Sequence, residues 1–396
     1  MVSGETNGQR PAQQRTAYLG PEASFSHQAA VEALPHTVPI PLPSFKAILQ
    51  GIQDSGDEAA DAYDYAVLPV ENSTNGSVVQ ALDLVAQCGL ASAYSDVEVI
   101  DEYYLEVHHN LFVSRIWAEQ KLDQEDFAAL PIDIEQATKQ DTKQQLHNGS
   151  STSEVPSNPS PMNGLNNVLE KLETKTLHTH PQVWGQCNNI LSTYLPPGNV
   201  DRVDMSSTSA AAAFIADSSH SSQDGLAAIS SSLAGAKHAN DLVCIARNIE
   251  DEPGENTTRF LVLKNRKRSQ ACLPLHEKLQ QGSIQIKSLW AFTIAHFVPG
   301  TLATTLSVFA KHNFNLSAIQ SRPRPKQKIL GGEQGHVTSK RSQDNNWRYI
   351  FFVECLHQRD AALMNQGDEE LGKLLKELES VTEQISLLGS WKDRLC

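Results

Sequence analysis

Residues 65–85, "YAVLPVENSTNGSVVQALDLV", run from an apolar stretch through a carboxylate, an amide and hydroxyls into a second apolar pattern. The first six residues have the make-up of a strand, Asn75-Gly76 is a turn signal, and Val78, Ala81, Leu82 and Val85 recur at helical spacing. Glu71 to Ser77 are therefore expected at a strand end that opens onto a helix N-terminus. Free backbone N–H groups and the helix dipole attract anions there, and serine and asparagine add directional donors.

The same design occurs upstream in "AYLGPEASFSHQAA", where Gly20-Pro21 turns the chain and Ser24 or Ser26 precedes a helix. Two such junctions could face one cleft, although for Ser73, Ser77 or Ser24 taken singly, helix capping is the commoner role. Residues 16 to 130 alternate strand-like runs ("TAYLG", "DYAVLPV", "HNLFVS") with helical patterns, which implies an α/β sheet. Residues 128 to 183 break the alternation, and about 135–165 reads as a disordered, low-complexity insertion. The rhythm returns in "PQVWGQCNNILSTYL", "MSSTSAAAAFIAD" and "DGLAAISSSLAGAKHANDLVCIARNIED", and "RFLVL" closes it before a basic linker.

The C-terminal part differs. "SLWAFTIAHF" alternates Trp290, Phe292 and Ile294; Leu302, Leu306 and Phe309 follow at helical spacing; then come "LSAIQSRP", a polar loop near 325–346, "WRYIFFVECL", a helix with Leu371, Leu374, Leu375 and Leu378, and "ISLLGSW". This order of strand, helix, strand, strand, helix, strand is the ferredoxin-like plan.

A length of 396 residues with 40% apolar content suffices for two or more packed domains. The start "MVSGETNGQRPAQQRT" lacks a signal-type apolar run and no later stretch has membrane-spanning length, so a cytoplasmic protein is expected, and its N-x-Ser/Thr triplets are expected to go unglycosylated. A formal charge of -14 disfavours nucleic acid and anionic membranes as partners. Six scattered cysteines without a C-x-x-C pair suggest free thiols and no metal. His108-His109 and His178-x-His180 lack partners at ligand spacing and read as surface or internally satisfied histidines. In "NTTRF", residues 256–260, alternation puts Thr258 and Phe260 on one face and Arg259 on the other.

Taken in order, "YLGPEASFSHQAA", "AVLPVENSTNGSV", "VHHNLFV", "THPQVWGQC", "SSTSAAAAF", "AAISSSLA", "NIEDEPGENTTRFLVL", "SLWAFTIAHFVPGTL" and "FNLSAIQSRPRP" resemble the prephenate dehydratase family over about 16–132, 176–325 and 347–390. The resemblance implies decarboxylating dehydration of prephenate to phenylpyruvate without a cofactor. It implies an α/β catalytic domain of two periplasmic-binding-protein-like lobes over residues 16–268, a disordered N-terminus (1–15), a linker (269–284) and an α+β ferredoxin-like ACT domain (285–396) that binds inhibitory phenylalanine. An effector bound across an ACT–ACT contact would make the protein a homodimer or homotetramer.

Carried over residue by residue, the catalytic threonine falls on Thr258 and the Glu-Asn-Ser triplet on Glu71, Asn72 and Ser73. The family's Ser-His-Pro-Gln stretch falls on Thr179 to Gln182, its next glutamine on Gln186 and its Ser-Thr-Ala motif on Ser207 and Thr208. Catalysis is expected of Thr258, Glu71 and Asn72, with Thr258 donating to the leaving oxygen. Substrate binding is expected of Ser73, Thr179, Gln186, Ser207, Thr208, Arg259 and Phe260, although Arg259 and Glu71 could instead form a supporting ion pair. The effector site falls on Gly300, Thr301, Leu302 and Ala303 ("GTLA") and on Gln320, Ser321, Arg322 and Pro323 ("QSRP"), where Gln320 replaces the family's glutamate. The alternatives are arogenate dehydration and a non-catalytic amino-acid sensor.

Overall fold

In the computed structural model, residues 13–56, 62–89, 93–136, 161–217, 225–268, 283–323, 348–360 and 368–395 are described. The chain forms β1 (Arg15–Leu19), α1 (Phe25–Ala33), β2 (Val38–Leu42), α2 (Phe45–Gln53), β3 (Tyr65–Asn72), β4 (Gly76–Ser77), α3 (Val79–Val85), β5 (Val97–Glu106), β6 (Asn110–Ser114), α4 (Arg115–Lys121), α5 (Gln124–Ala129) and β7 (Ile132–Asp133). It continues through α6 (Pro161–Leu172), β8 (Thr176–Thr179), α7 (Pro181–Gln186), α8 (Asn188–Tyr194), β9 (Asp201–Asp204), α9 (Thr208–Ala216), β10 (Leu226–Ser230), α10 (Ser232–Lys237), β11 (Leu242–Arg247) and β12 (Thr257–Asn265). The C-terminal part adds β13 (Ser283–Thr293), α11 (Thr301–Lys311), β14 (Asn315–Pro323), β15 (Tyr349–Asp360), α12 (Glu369–Val381) and β16 (Gln384–Lys392). No helix among the described residues is long and apolar enough to cross a membrane.

Two sheets organise these elements. The larger runs β2-β1-β3-β12-β5-β16-β13-β15-β14, with β4 paired to β3, and the smaller runs β7-β11-β6-β10-β8-β9. The chain passes from the first to the second after β5 and returns before β12, so residues 107–109 and 248–256 form two adjacent crossings. Within the first sheet β12 is central, antiparallel to both β3 and β5. Its side chains serve opposite layers: Phe260 and Val262 pack with Tyr18, Ala29, Ala30 and Tyr65 under α1, while Leu261 and Leu263 pack with Ile48, Leu49 and Ile52 of α2. Phe260 is 1% exposed. It packs in the core under α1, whereas its place beside Thr258 suggested a substrate contact.

The strand order β14-β15-β13-β16 is ferredoxin-like. Leu371, Leu374 and Leu378 of α12 and Val308 and Phe309 of α11 cover one face through Trp290, Phe292 and Val353. The opposite face, with Leu289, Ala291, Ile350 and Phe352, packs against the catalytic sheet. β16 joins β5 through one parallel pair, Gly389 with Val99, where a Cβ on residue 389 would strike the Val99 carbonyl.

One expectation fails at an edge. The insertion assigned to about 135–165 lies outside the described residues only over 137–160, and α6 begins at Pro161. Leu165, Val168, Leu169 and Leu172 sit three or four residues apart and are all buried, and the Leu172 carbonyl accepts from the Trp117 indole at 3.0 Å. The helical spacing was present in the sequence, but the neighbouring polar tract masked it. The linker over 269–282 and the loop over 324–347 lie outside the described residues, as do residues 1–12 of the N-terminal segment.

Ion pairs fasten the two parts of the large sheet. Glu102, its side chain 0% exposed, accepts from Arg259 Nε at 2.9 Å and from Lys287 Nζ at 2.7 Å, and Lys287 also meets Asp393 at 3.1 Å. Removing the shared carboxylate would leave two buried cations against each other. Glu102→Leu is therefore expected to cost about 3–5 kcal/mol, read as a lowered urea midpoint of the transition that reports both parts together.

Candidate active site

β3 and β12 lie in register with Thr258 opposite Asn72 and Arg259 opposite Glu71. Paired residues share a face, so Asn72 and Thr258 look one way and Glu71 and Arg259 the other. On the first face, Asn72 Oδ1 accepts from the backbone N–H groups of Thr74 and Asn75 at 3.1 and 2.9 Å. Those two donors fix the amide's orientation. Its Nδ2 therefore donates, to Asn256 Oδ1 at 2.8 Å and to Thr258 Oγ1 at 3.0 Å. With a lone pair of Oγ1 occupied by that N–H, the Thr258 hydroxyl proton is left to be donated outward.

Ser73 has a different task from the one expected. Its Oγ donates to the Glu255 carbonyl and accepts from Thr257 N at 2.9 Å, while its backbone N–H donates to Thr257 O at 2.9 Å. The hydroxyl is consumed in stapling the loop after β3 to the entrance of β12. The helix expected after Glu71 to Ser77 begins at Val79, directly behind the short strand β4, and Val78 gives it no side-chain cap. The polar run is bonded across strands, Ser73 to the entrance of β12 and Gly76-Ser77 to the end of β3. Capping does hold for Ser24, which accepts from His27 N at 3.3 Å, and for Ser207, which accepts from Ala210 N at 3.0 Å.

Glu71 lies on the far face, with Arg259 Nη1 3.8 Å from its Oε2. It cannot share a proton with Thr258 from there, so the ion-pair alternative describes its position. Arg259 is equally remote from the Thr258 hydroxyl: its Nη1 donates to Glu354 Oε1 of β15 at 2.8 Å, and Glu102 takes its Nε. Burial opposes the guanidinium charge, yet Glu354 and Glu102 outweigh it and hold Arg259 above its ordinary range.

On the second sheet Thr179 is fully buried, and its Oγ1 donates to the Ile229 carbonyl at 2.9 Å. This bond ties β8 to β10 and takes the hydroxyl proton away from any ligand. Ser207 and the largely buried Thr208 begin α9, where Ser230 Oγ donates to the Thr208 carbonyl at 2.8 Å. Gln186 ends α7, partly exposed, with its Oε1 2.8 Å from His109 Nε2.

The crossings hold the two sheets' polar residues near one another. Glu250 meets His108 Nδ1 at 2.7 Å and accepts from His109 N at 2.9 Å. The loop before α1 reaches the second sheet, where Ser231 Oγ donates to the Ala23 carbonyl at 3.2 Å and Lys237 meets Glu22 at 2.8 Å. Thr258, Asn72 and Asn256 thus stand where β3 ends and β12 begins beside a crossing, and Gln186 beside its other end through the Asp251 N–H to Gln186 carbonyl bond at 2.8 Å.

The C-terminal candidates divide. Gly300, at φ 84, precedes α11; Thr301 and Leu302 are partly buried and Ala303 is exposed. On β14, Gln320 Nε2 donates to Ser77 Oγ at 3.3 Å and Arg322 Nε to Asp83 Oδ1 at 2.6 Å, both toward the catalytic sheet, while Ser321 and Pro323 are exposed. Within one chain, Gln320 and Arg322 thus bond to residues of the catalytic part.

The family model of prephenate dehydratase matches residues 16–140 and 164–268, more than half of the chain. The chain belongs to the prephenate dehydratase family. As a member it is a carbon–oxygen lyase that converts prephenate to phenylpyruvate, water and carbon dioxide. It is 29% identical over 392 residues to a probable prephenate dehydratase of Saccharomyces cerevisiae, covering 95% of this chain and 96% of that protein. The prephenate dehydratase of Lactococcus lactis is 28% identical over 342 residues, 86% and 92% of the two chains. Among solved structures, the prephenate dehydratase of Arthrobacter aurescens in complex with L-Phe superposes with a TM-score of 0.61 at 20% identity, covering 96% of this chain and 90% of that one. The enzyme from Staphylococcus aureus gives 0.52 at 21%, covering 96% and 100%. These likenesses to prephenate dehydratase structures carry the fold.

Sequence reasoning missed Asn256 and set aside the His108-His109 pair. Neither carries a local signal, because their partners lie 77 to 184 positions away. The hydrogen bond to Glu250 raises the His108 pKa above the ordinary imidazole value, against the effect of burial. The Glu250 carboxyl is held low by His108 and the His109 N–H despite its own burial. A raised imidazole stabilises the fold below its unfolded value, near pH 6.5, and this contribution is lost as pH rises through the folded value. The melting-temperature advantage of the wild type over His108→Gln is thus expected to be largest near pH 6 and to shrink by pH 8 in a scanning-fluorimetry series.

Proposed function

We propose that Thr258 is the hydrogen-bond donor to the departing ring hydroxyl of prephenate, and that Asn72 holds it in place. Decarboxylation breaks the bond to the ring carboxylate and its electron pair enters the ring. The ring becomes aromatic as the C–O bond to the hydroxyl breaks, and the hydroxide leaves as water after gaining one proton. No electron sink is needed, so the protein's work is to bind two carboxylates and assist that departure. The observation that carries this reading is the Asn72 amide, oriented by two backbone N–H groups and donating to Thr258 Oγ1. A threonine hydroxyl is a weak acid, so it acts as a positioned donor that relays a proton from solvent.

The substrate lies between two periplasmic-binding-protein-like lobes built on the two sheets, with Gln186, Ser207 and the α9 N-terminus available to its carboxylates. The ferredoxin-like unit is an ACT domain that takes phenylalanine near residues 300–303, in a homodimer or homotetramer; the Arthrobacter relative was solved in complex with L-Phe. Arogenate, which carries an amino group in place of the keto group, undergoes the same elimination; an Arabidopsis thaliana relative at 25% identity is named for both substrates. Parallel assays of the two substrates separate these readings. A sensor without turnover has no use for the oriented Asn72–Thr258 pair.

Feedback requires the effector to prefer one of two arrangements of the C-terminal unit. Thr258 and Arg259 are neighbours on β12, one facing the chemistry and the other bonded to Glu354 of the C-terminal sheet. A shift of β15 would thus be felt at Thr258 through one peptide unit.

Thr258→Val is expected to lower kcat by about 10²- to 10⁴-fold with an unchanged circular-dichroism spectrum, and Thr258→Ser to restore most of it. A valine variant with wild-type turnover would remove Thr258 from the mechanism. Glu354→Gln is expected to keep basal turnover while raising the phenylalanine concentration for half-inhibition by roughly fivefold or more, measured from inhibition curves on prephenate.

A further inference from the structure

The two crossings between the sheets enclose His108, His109 and Glu250, polar groups beside Gln186 that the chemistry above does not use. His109 is 1% exposed, its ring edge-on to Phe25 of α1 at 5.9 Å and its Nε2 2.8 Å from Gln186 Oε1 of α7. Its backbone is pinned as well: the N–H donates to Glu250 and the carbonyl accepts from Ile249 N at 2.9 Å. The ring therefore spans from a helix of one sheet to a helix of the other, and Glu250 and His108 are the titratable groups beside it.

His109 Nδ1 has no hydrogen-bond partner among the described residues. A buried N–H without an acceptor costs more than a buried lone pair without a donor, so the single proton belongs on Nε2. Burial works against a second proton and lowers the His109 pKa. The Nε2–H then donates to Gln186 Oε1. The two ends of a glutamine amide are alike in size, and without such a donor either could turn to the cleft.

We propose that His109 is a positioning residue, which holds the Gln186 amide with its NH2 toward the cleft as a donor to a substrate carboxylate. This rests on the reading of Gln186 as a substrate contact. A flipped amide would present an oxygen to an anion, replacing attraction with repulsion. The rigid backbone attachment through Glu250 keeps the ring from following Gln186 if the amide turns.

The test compares wild type, His109→Leu, His109→Gln, Gln186→Ala and the His109→Leu/Gln186→Ala double variant on prephenate. His109→Leu is expected to raise KM about tenfold or more with a smaller change in kcat. His109→Gln, which supplies an N–H at similar reach, is expected to recover most of that loss. In the Gln186→Ala background His109→Leu is expected to add nothing, because its effect passes through the amide. Additive losses, or a glutamine variant as impaired as the leucine one, would overturn the proposal. If His109→Leu does not fold by circular dichroism, Gln186→Glu decides: it keeps an acceptor for the His109 N–H but loses the donor, so KM should rise at least as far as in Gln186→Ala, and a wild-type KM would sink the idea. Should the wild type fail to turn over prephenate, the activity reading itself fails, and prephenate dissociation constants from calorimetry carry the same comparison.

Discussion

The Glu102 carboxylate, buried between Arg259 and Lys287, is the interaction on which the arrangement of the large sheet depends. It lies on β5, the strand that borders both the catalytic strand β12 and, through Gly389, the C-terminal strand β16. Two cations drawn from different parts of the chain are buried side by side around it, and its loss would leave them with Glu354, Asp393 and the more distant Glu71 as counter-charges. A few backbone pairs at one glycine would make a loose seam, and the ion cluster gives that seam a defined register. Arg322 with Asp83 and Arg394 with Asp101 extend the fastening toward either side, in more exposed positions where each pair contributes less.

That seam bears on function because of strand alternation. β12 passes Thr258 to one face and Arg259 to the other, so neighbouring residues belong to the proposed reaction site and to the ion cluster. β3 repeats the division with Asn72 and Glu71. The pairing of two strands in register is enough to build a chemical side and a coupling side from consecutive residues. A one-residue slip of either strand would exchange the two. The Ser73 staple and the Asn72 turn resist such a slip, and this is a sufficient physical reason for hydroxyl and amide groups to crowd the end of β3.

Much of this was legible in the sequence. The α/β alternation, the ferredoxin-like order after residue 283 and the opposite faces of Thr258 and Arg259 all follow from periods of two and 3.6 in apolar residues. The ordered motifs led to the family, and with it to Thr258 and Asn72. Among the residues carried over from the family, several have a polar side chain with a remote partner. Thr179, expected at the substrate, spends its hydroxyl on Ile229; Gln320 and Arg322, expected at the effector, reach the catalytic part. Phe260 fits the substrate-contact pattern and the core pattern equally well, and only burial separates them.

By itself the sequence determined which segments become strands and helices, because spacing and turn residues act within a few positions. It also determined the family, through motifs whose order survives without any knowledge of contacts. Tertiary structure alone decided which polar groups remain free for chemistry. Asn72, Ser73, Thr179 and His109 are all hydrogen-bonding residues in the sequence, but each has a fixed number of donors and acceptors. Whether a distant strand or crossing consumes them is settled when the sheets close, and only what is left over is available to a ligand.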